Sequence, residues 1–296
     1  MRKHRTRVAR LALLAVALTA LGLASSAQAK LTGGFTRFQQ CPFTNLEVRK
    51  CIYSTTESGE VVLGSKKVPI EKPVVLQGGL GPANEETFNQ AFFAASNGIT
   101  LSKAPQNVPG GLLGIVPEKE QSFLVKALIK FFFENSLTGV NSTLELAKPA
   151  SEIVVNEIHL AGEEGVALKM PVKVHLENPF LGKNCFVGSS TSPVIWNLTS
   201  GKTSPPAPNT SISGSSGVFE IIESGRILEA KGTKLVDNAW SAPKATGCGG
   251  IISFLVTPII NNQLGSTTAG HNTAILNNTV FIGNAASIRK NNEENP

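Results

Sequence analysis

Side chains able to do chemistry are few in this chain and widely spaced. It has one aspartate, Asp237, and four cysteines, Cys41, Cys51, Cys185 and Cys248. Calcium loops and two-metal sites draw on clustered aspartates, so neither is expected. No H-E-x-x-H, G-x-S-x-G or G-x-x-x-x-G-K-[ST] stretch occurs. The sequence therefore predicts no metal site and no cofactor. Beyond residue 29 the histidines are His159, His175 and His271. Strand alternation puts His175 on a wet face beside Lys169 and Lys173, a cationic setting that disfavours a metal. His159 shares its face with Glu157, and both histidines read as solvated strand residues. His271, following Gly270, is one candidate for a functional histidine. An acid pair is the other. A two-residue turn at Ser224 and Gly225 sets Glu220 opposite Glu229, an arrangement that suits a general acid and a nucleophile. Against it, Ile222 and Ile227 share their face, and Arg226 and Lys231 lie near enough to screen both charges. A secreted hydrolase of unrecognised type would use His271 or this pair. The scarcity of Asp and His favours binding or structure over catalysis.

The cysteines take their meaning from the compartment. Residues 1–10 carry five Lys or Arg and no acid, residues 11–24 are apolar, and Ala27 and Ala29 form a small-residue A-x-A site. These are the three regions of a secretory signal peptide, with cleavage expected after Ala29. The apolar run is shorter than the roughly 20 residues that span a bilayer. The whole chain has 27 Lys and Arg against 21 Asp and Glu. Arg2, Lys3, Arg5, Arg7 and Arg10 leave with the signal, which takes the net charge from +6 to +1. The basic balance thus belongs to targeting, and nucleic acid is not an expected partner. The expected location is secreted or in the cell envelope. There an even number of cysteines reads as disulfides. Four allow three pairings, of which Cys41–Cys51 and Cys185–Cys248 are favoured. On loop entropy they contribute about 3 and about 4 kcal/mol. The first spacing is too wide for a redox C-x-x-C or a zinc half-site.

The elements that position these residues read mostly as strands. In residues 166–177, Val166, Leu168, Met170, Val172, Val174 and Leu176 alternate with polar partners and Pro171. Residues 151–160, a turn at 161–165 and this strand read as a hairpin. Residues 217–232 form a second hairpin, and 272–284 a last strand. Residues 50–70 and 72–80 hold two or three more. Two segments break the pattern. Asn84 reads as the cap of a helix, followed by Glu85, Glu86 and Thr87. Residues 117–133 read as a second helix, with Pro117 in its first turn and Glu118 and Glu120 set against its dipole. Residues 202–217, rich in Pro, Gly and Ser, read as a long surface loop. The expected fold is β-rich, between all-β and α+β: an antiparallel sandwich or open barrel with a two-helix insertion. The expected domains are a signal peptide over 1–29, one β-rich domain over 30–288 with the insertion at about 82–134, and a disordered tail over 289–296.

Residues 35–45 (FTRFQQCPFTN), 51–60 (CIYSTTESGE), 178–190 (NPFLGKNCFVGSS) and 271–277, with Gly270 before them (GHNTAILN), give the chain a resemblance to exported, signal-peptide-bearing actinobacterial proteins of uncharacterised activity. That resemblance spreads over most of the mature chain and implies no catalytic residue.

The helix over 121–133 hints at a ligand. Only its Lys126 and Lys130 side is clearly polar. As a core helix it packs on the sheet. Otherwise Leu124, Leu128, Phe131 and Phe132 line an apolar pocket, or the helix meets a membrane surface with its lysines at the head groups. The leading expectation is an exported, non-catalytic envelope or extracellular protein acting by binding or as structure, with an apolar-ligand binder as its sharper form. Its protein partners are not specified by the sequence. On the pocket reading, polar substitution of Phe131 and Phe132 abolishes ligand uptake while both disulfides still form. Unchanged uptake in a native mass measurement would overturn it.

Overall fold

The computed structural model describes residues 30–111 and 139–295. The expected signal peptide and the expected helix with Leu124, Leu128, Phe131 and Phe132 lie outside the described residues. Within them the chain is β-rich, as its alternation predicts. In chain order the strands are β1 (Lys50–Leu63), β2 (Lys66–Pro69), β3 (Val74–Ala83), β4 (Gln90–Ala94), β5 (Gln106–Asn107), β6 (Asn141–Leu146), β7 (Val154–Val155), β8 (Leu168–Glu177), β9 (Phe186–Val187), β10 (Val194–Leu198), β11 (Val218–Ile222), β12 (Ile227–Asp237), β13 (Ala245–Thr246) and β14 (Thr273–Asn284). All belong to one antiparallel sheet. Three helices accompany it: α1 (Glu157–Gly162), α2 (Ser253–Leu264) and α3 (Ala285–Glu294).

The sheet curls back on itself. The path β12-β14-β1-β3-β4-β7-β8 continues to β10, which pairs with β8. Just past β10, Thr199 and Val236 exchange both backbone hydrogen bonds, at 2.9 and 2.8 Å. That bridge joins β10 to β12 and closes an eight-strand ring. Asp237 reinforces the seam. Its Oδ2 accepts from the backbone N–H of Asn197 at 2.7 Å, and its Oδ1 from Ala239 at 2.9 Å. The other strands extend β8 and β12 or, like β2, fold over β1.

Both faces of the β1–β14 wall are covered. Inside lies the main core, including Leu80, Phe92, Met170, Trp196 and Leu276. Outside, Phe35, Phe38, Phe43 and Val48 pack with Ile227 and Ile288 in a smaller cluster. Disulfide Cys41–Cys51 pins this amino-terminal cover to β1, and Cys185–Cys248 ties the β9 region to the turn before α2. Both pairings match the sequence reading.

Three elements differ from expectation. Asn84 does not start a helix. Its Oδ1 accepts from the N–H of Glu86 and Thr87 at 3.0 and 2.8 Å, as a helix cap would. Phe88 then adopts φ 58° and the chain reverses into β4. Phe92 is buried there, and β4 pairs with both β3 and β7. Pairing on both sides outweighs local helix propensity. Of the expected hairpin, β7 does pair antiparallel with β8, but residues 157–162 between them are helical, capped by Asn156, which accepts from His159 N–H at 2.9 Å. Residues 289–294, within the expected disordered tail, form the end of α3, which is capped by Asn284. It buries Ile288 against the outer cluster, and Asn291 accepts from Thr32 N–H at 3.0 Å.

Asp237 generates a prediction. Burial raises its carboxyl above the ordinary range, against the two backbone N–H groups that lower it. Asp237→Ala orphans both donors and should cost about 2 kcal/mol or more in urea unfolding. The folded value lies above the unfolded one, so the unfolded chain loses its proton first as pH rises. The stability of the wild type relative to Asp237→Asn is therefore greatest in acid and shrinks as pH climbs through the raised value. A constant difference would contradict this.

Candidate functional site

Side-chain parity builds a cavity inside the ring. On β14, Ala274, Leu276, Asn278, Val280 and Ile282 are buried and point inward. On β1, Ile52 is buried and Ser54 and Thr56 line the cavity, all at even-numbered positions. An irregularity between Thr56 and Ser58 then shifts the register against β14. After it, Val61 and Leu63, at odd-numbered positions, face inward. Such a bulge re-aims every following side chain. Gly59 is required there: its φ is 137°, and a Cβ would lie 2.0 Å from the carbonyl oxygen of Ile275.

The cavity wall is apolar on most sides. Val68 and Ile70 come from β2 and its exit, Leu76 from β3, Leu144 from β6, Met170, Val174 and Leu176 from β8, and Trp196 from β10. Helix α2 buries Val256, Ile260 and Leu264 at a four-residue spacing, and the last two close one side. The space open to the centres of water-sized molecules is about 110 Å³. A single water needs roughly 10–15 Å³ by that measure. Val108 and Ser142 also line it.

Polar wall residues are mostly committed to structure. Thr56 Oγ1 donates to Asn278 Oδ1 at 2.6 Å, and Asn278 Nδ2 donates to the Leu276 carbonyl at 2.9 Å. Gln106 is a strut. Its Oε1 accepts from the N–H of Glu71 and Lys72, and its Nε2 donates to the carbonyls of Lys72 and Ala104. Trp196 is buried, and its Nε1 lacks a hydrogen-bond partner among the described residues. Such an orphan donor calls for a water or ligand nearby. Lys66 is the one charged side chain among the described residues of the wall. Burial lowers its pKa from the ordinary lysine value.

The catalytic candidates lie elsewhere. Glu220 and Glu229 do stand opposite each other. They sit on the edge hairpin, and Lys231 Nζ lies 2.8 Å from Glu220 Oε2 and 3.6 Å from Glu229 Oε2. The two carboxylates share this lysine as their ion-pair partner, and neither lines the cavity. His271 lies in the turn before β14, its N–H bonded to the Thr268 carbonyl, and it is not in the cavity wall. His175 is less wet than expected. Its ring stacks on Phe186 at 4.3 Å, and Nδ1 lies 3.9 and 3.8 Å from Glu145 and Glu177. Burial would raise the Glu145 carboxyl, but Lys103 and Lys173 outweigh it and hold it below the usual range. His159 is on α1 rather than a strand, with Nδ1 3.0 Å from the Val166 carbonyl. Among the described residues no group of three or more His, Cys, Asp or Glu could hold a metal.

Sequence reasoning missed the cavity as a site. Its residues were legible as inward strand positions, but Lys66 and Gln106 carried no motif. No family model, curated protein or solved structure matches the chain.

Proposed function

We propose that the protein is an exported, non-catalytic binder that holds an apolar ligand inside its β-ring. The apolar cavity carries this reading. A core of this kind is ordinarily filled by its own side chains, whereas ligand sites keep an apolar concavity with a few convergent polar groups. Two disulfides support an oxidising, extracellular setting. Among the described residues no helix is long and apolar enough to cross a membrane. The residues a hydrolase would use lie away from the cavity wall, so the binder reading uses none of them.

Mass measurement of protein purified from an exporting host tests this. Two disulfides, with extra native mass lost on denaturation, are expected. In solution the neutral dye N-phenyl-1-naphthylamine should bind and quench Trp196 fluorescence. Val68→Trp fills the wall from a half-buried position and should weaken dye binding by about tenfold or more, roughly 1.4 kcal/mol, with both disulfides intact. A wild-type protein that neither carries extra mass nor takes up the dye would overturn the reading.

A further inference from the structure

We infer that the tip formed by residues 249–252 and the start of α2 docks on the surface of an anionic lipid bilayer. This inference stands apart from the binder reading, because it needs no ligand in the cavity. Helix α2 is apolar on two opposite sides. Val256, Ile260 and Leu264 are buried on one. On the other, Ile251 is 99% exposed and Phe254 72%. Pro258, one turn further on, is exposed as well. Residues three and four apart share a helix face, so these form one outward stripe rather than the scattered apolar residues that any surface carries. The tip is also held in place. Disulfide Cys185–Cys248 ends at its base, and the N–H of Gly249 donates to the Leu181 carbonyl at 2.8 Å. Gly249 has φ 95°, and a Cβ there would lie 2.5 Å from the Cβ of Val256. The turn therefore packs onto α2 and leaves Ile251 outside.

Charge names the partner. A Cβ on Gly182 would lie 3.4 Å from the backbone nitrogen of Gly250, so the loop with exposed Lys183 runs alongside the tip. Exposed Lys244 precedes Ala245, whose backbone is bonded to Asn261 of α2. Residues 178–219 and 238–292, which supply the tip and both lysines, contain no Asp or Glu. Glu177, the acid next to the first stretch, is engaged by Thr143 and His175. An apolar tip flanked by cations matches an interface of acyl chains beneath anionic head groups. A second copy of the chain fits less well, since two such tips face to face bring their lysines together.

Co-sedimentation of the mature, disulfide-bonded protein with vesicles of equal parts phosphatidylcholine and phosphatidylglycerol tests this. The wild type should bind them better than vesicles of phosphatidylcholine alone, and added salt should weaken the binding. Ile251→Ser with Phe254→Ser should weaken it about tenfold or more. Lys183→Gln with Lys244→Gln should weaken it by about tenfold and reduce its salt dependence. Phe219→Ser with Ile221→Ser, on the exposed strand β11, should leave it unchanged. All these side chains are exposed, so the near-UV circular dichroism of each variant should match the wild type. A wild type that stays in the supernatant, or binding that survives the tip substitutions or falls equally with those on β11, overturns the inference. A dimer in the absence of vesicles, lost in the tip variant, gives this surface to a second copy and overturns it too. Dye uptake by the cavity enters none of these outcomes, so the binder reading and this inference fail separately.

Discussion

Closure of the ring depends on a narrow seam. Strands β10 and β12 are far apart in sequence, and Thr199 and Val236 make the one backbone bridge between them. A sheet edge left open there would expose unpaired backbone groups and let water into the apolar interior. Asp237 carries the seam further by accepting from Asn197. Its own carbonyl accepts from Trp240 Nε1 at 3.2 Å, and Trp240 meets Trp196 edge-on with centroids 6.1 Å apart. Trp196 is in the cavity wall. The chain's only aspartate thus supports both the closing strand and the aromatic pair behind the cavity. A buried carboxylate is costly, and two backbone donors offset part of that cost.

Parity decides what the closed ring encloses. Strands with period two place one side chain in and the next out, and a slip of one residue exchanges the faces. The irregularity at Thr56–Ser58 makes such an exchange midway along β1. On one side of it Cys51 faces the outer cluster, while Ile52 belongs to the inner core. On the other, Val61 and Leu63 take the inner positions. Without the irregularity, Val62 would face the cavity and Leu63 the outside. The strand Ala274 to Ile282 keeps its parity throughout, so β14 is the fixed frame against which β1 shifts.

Much of this was legible from residue types. Alternation exposed β8, and the Glu220–Glu229 register followed from the turn alone. The compartment argument read the four cysteines as disulfides, and the favoured one of the three pairings is the one observed. Two of the misreadings turn on the same hydrogen bond. Asn84 and Asn156 both satisfy backbone N–H groups two or three residues on. One opens a reversing turn and the other a helix, because that hydrogen bond serves both conformations. What separates them is tertiary. After Asn84 a strand finds β3 and β7 waiting, and Asn156 binds the Thr87 carbonyl of that same turn at 2.8 Å. The polar composition of 289–294 suggested a solvated tail, and Ile288 with Asn291 sufficed to dock it as a helix.

The two disulfides take complementary positions around this frame. Cys41–Cys51 holds the outer cover, whose Phe35 and Phe38 lie on the wall behind β1 and β14. Cys185–Cys248 acts on the inner side. Cys248 follows β13, and its carbonyl accepts from Thr257 Oγ1 on α2 at 3.0 Å. Asn261 on α2 both donates to and accepts from the backbone of Ala245, at 2.9 and 2.7 Å. The bond therefore fixes α2, and with it Ile260 and Leu264 at the cavity. Pro258 removes one of the internal hydrogen bonds of α2. A covalent tie at its entry restricts how far this apolar side can move. An apolar cavity keeps its shape only if its walls resist collapse, and here the least regular wall is the one the longer disulfide loop secures.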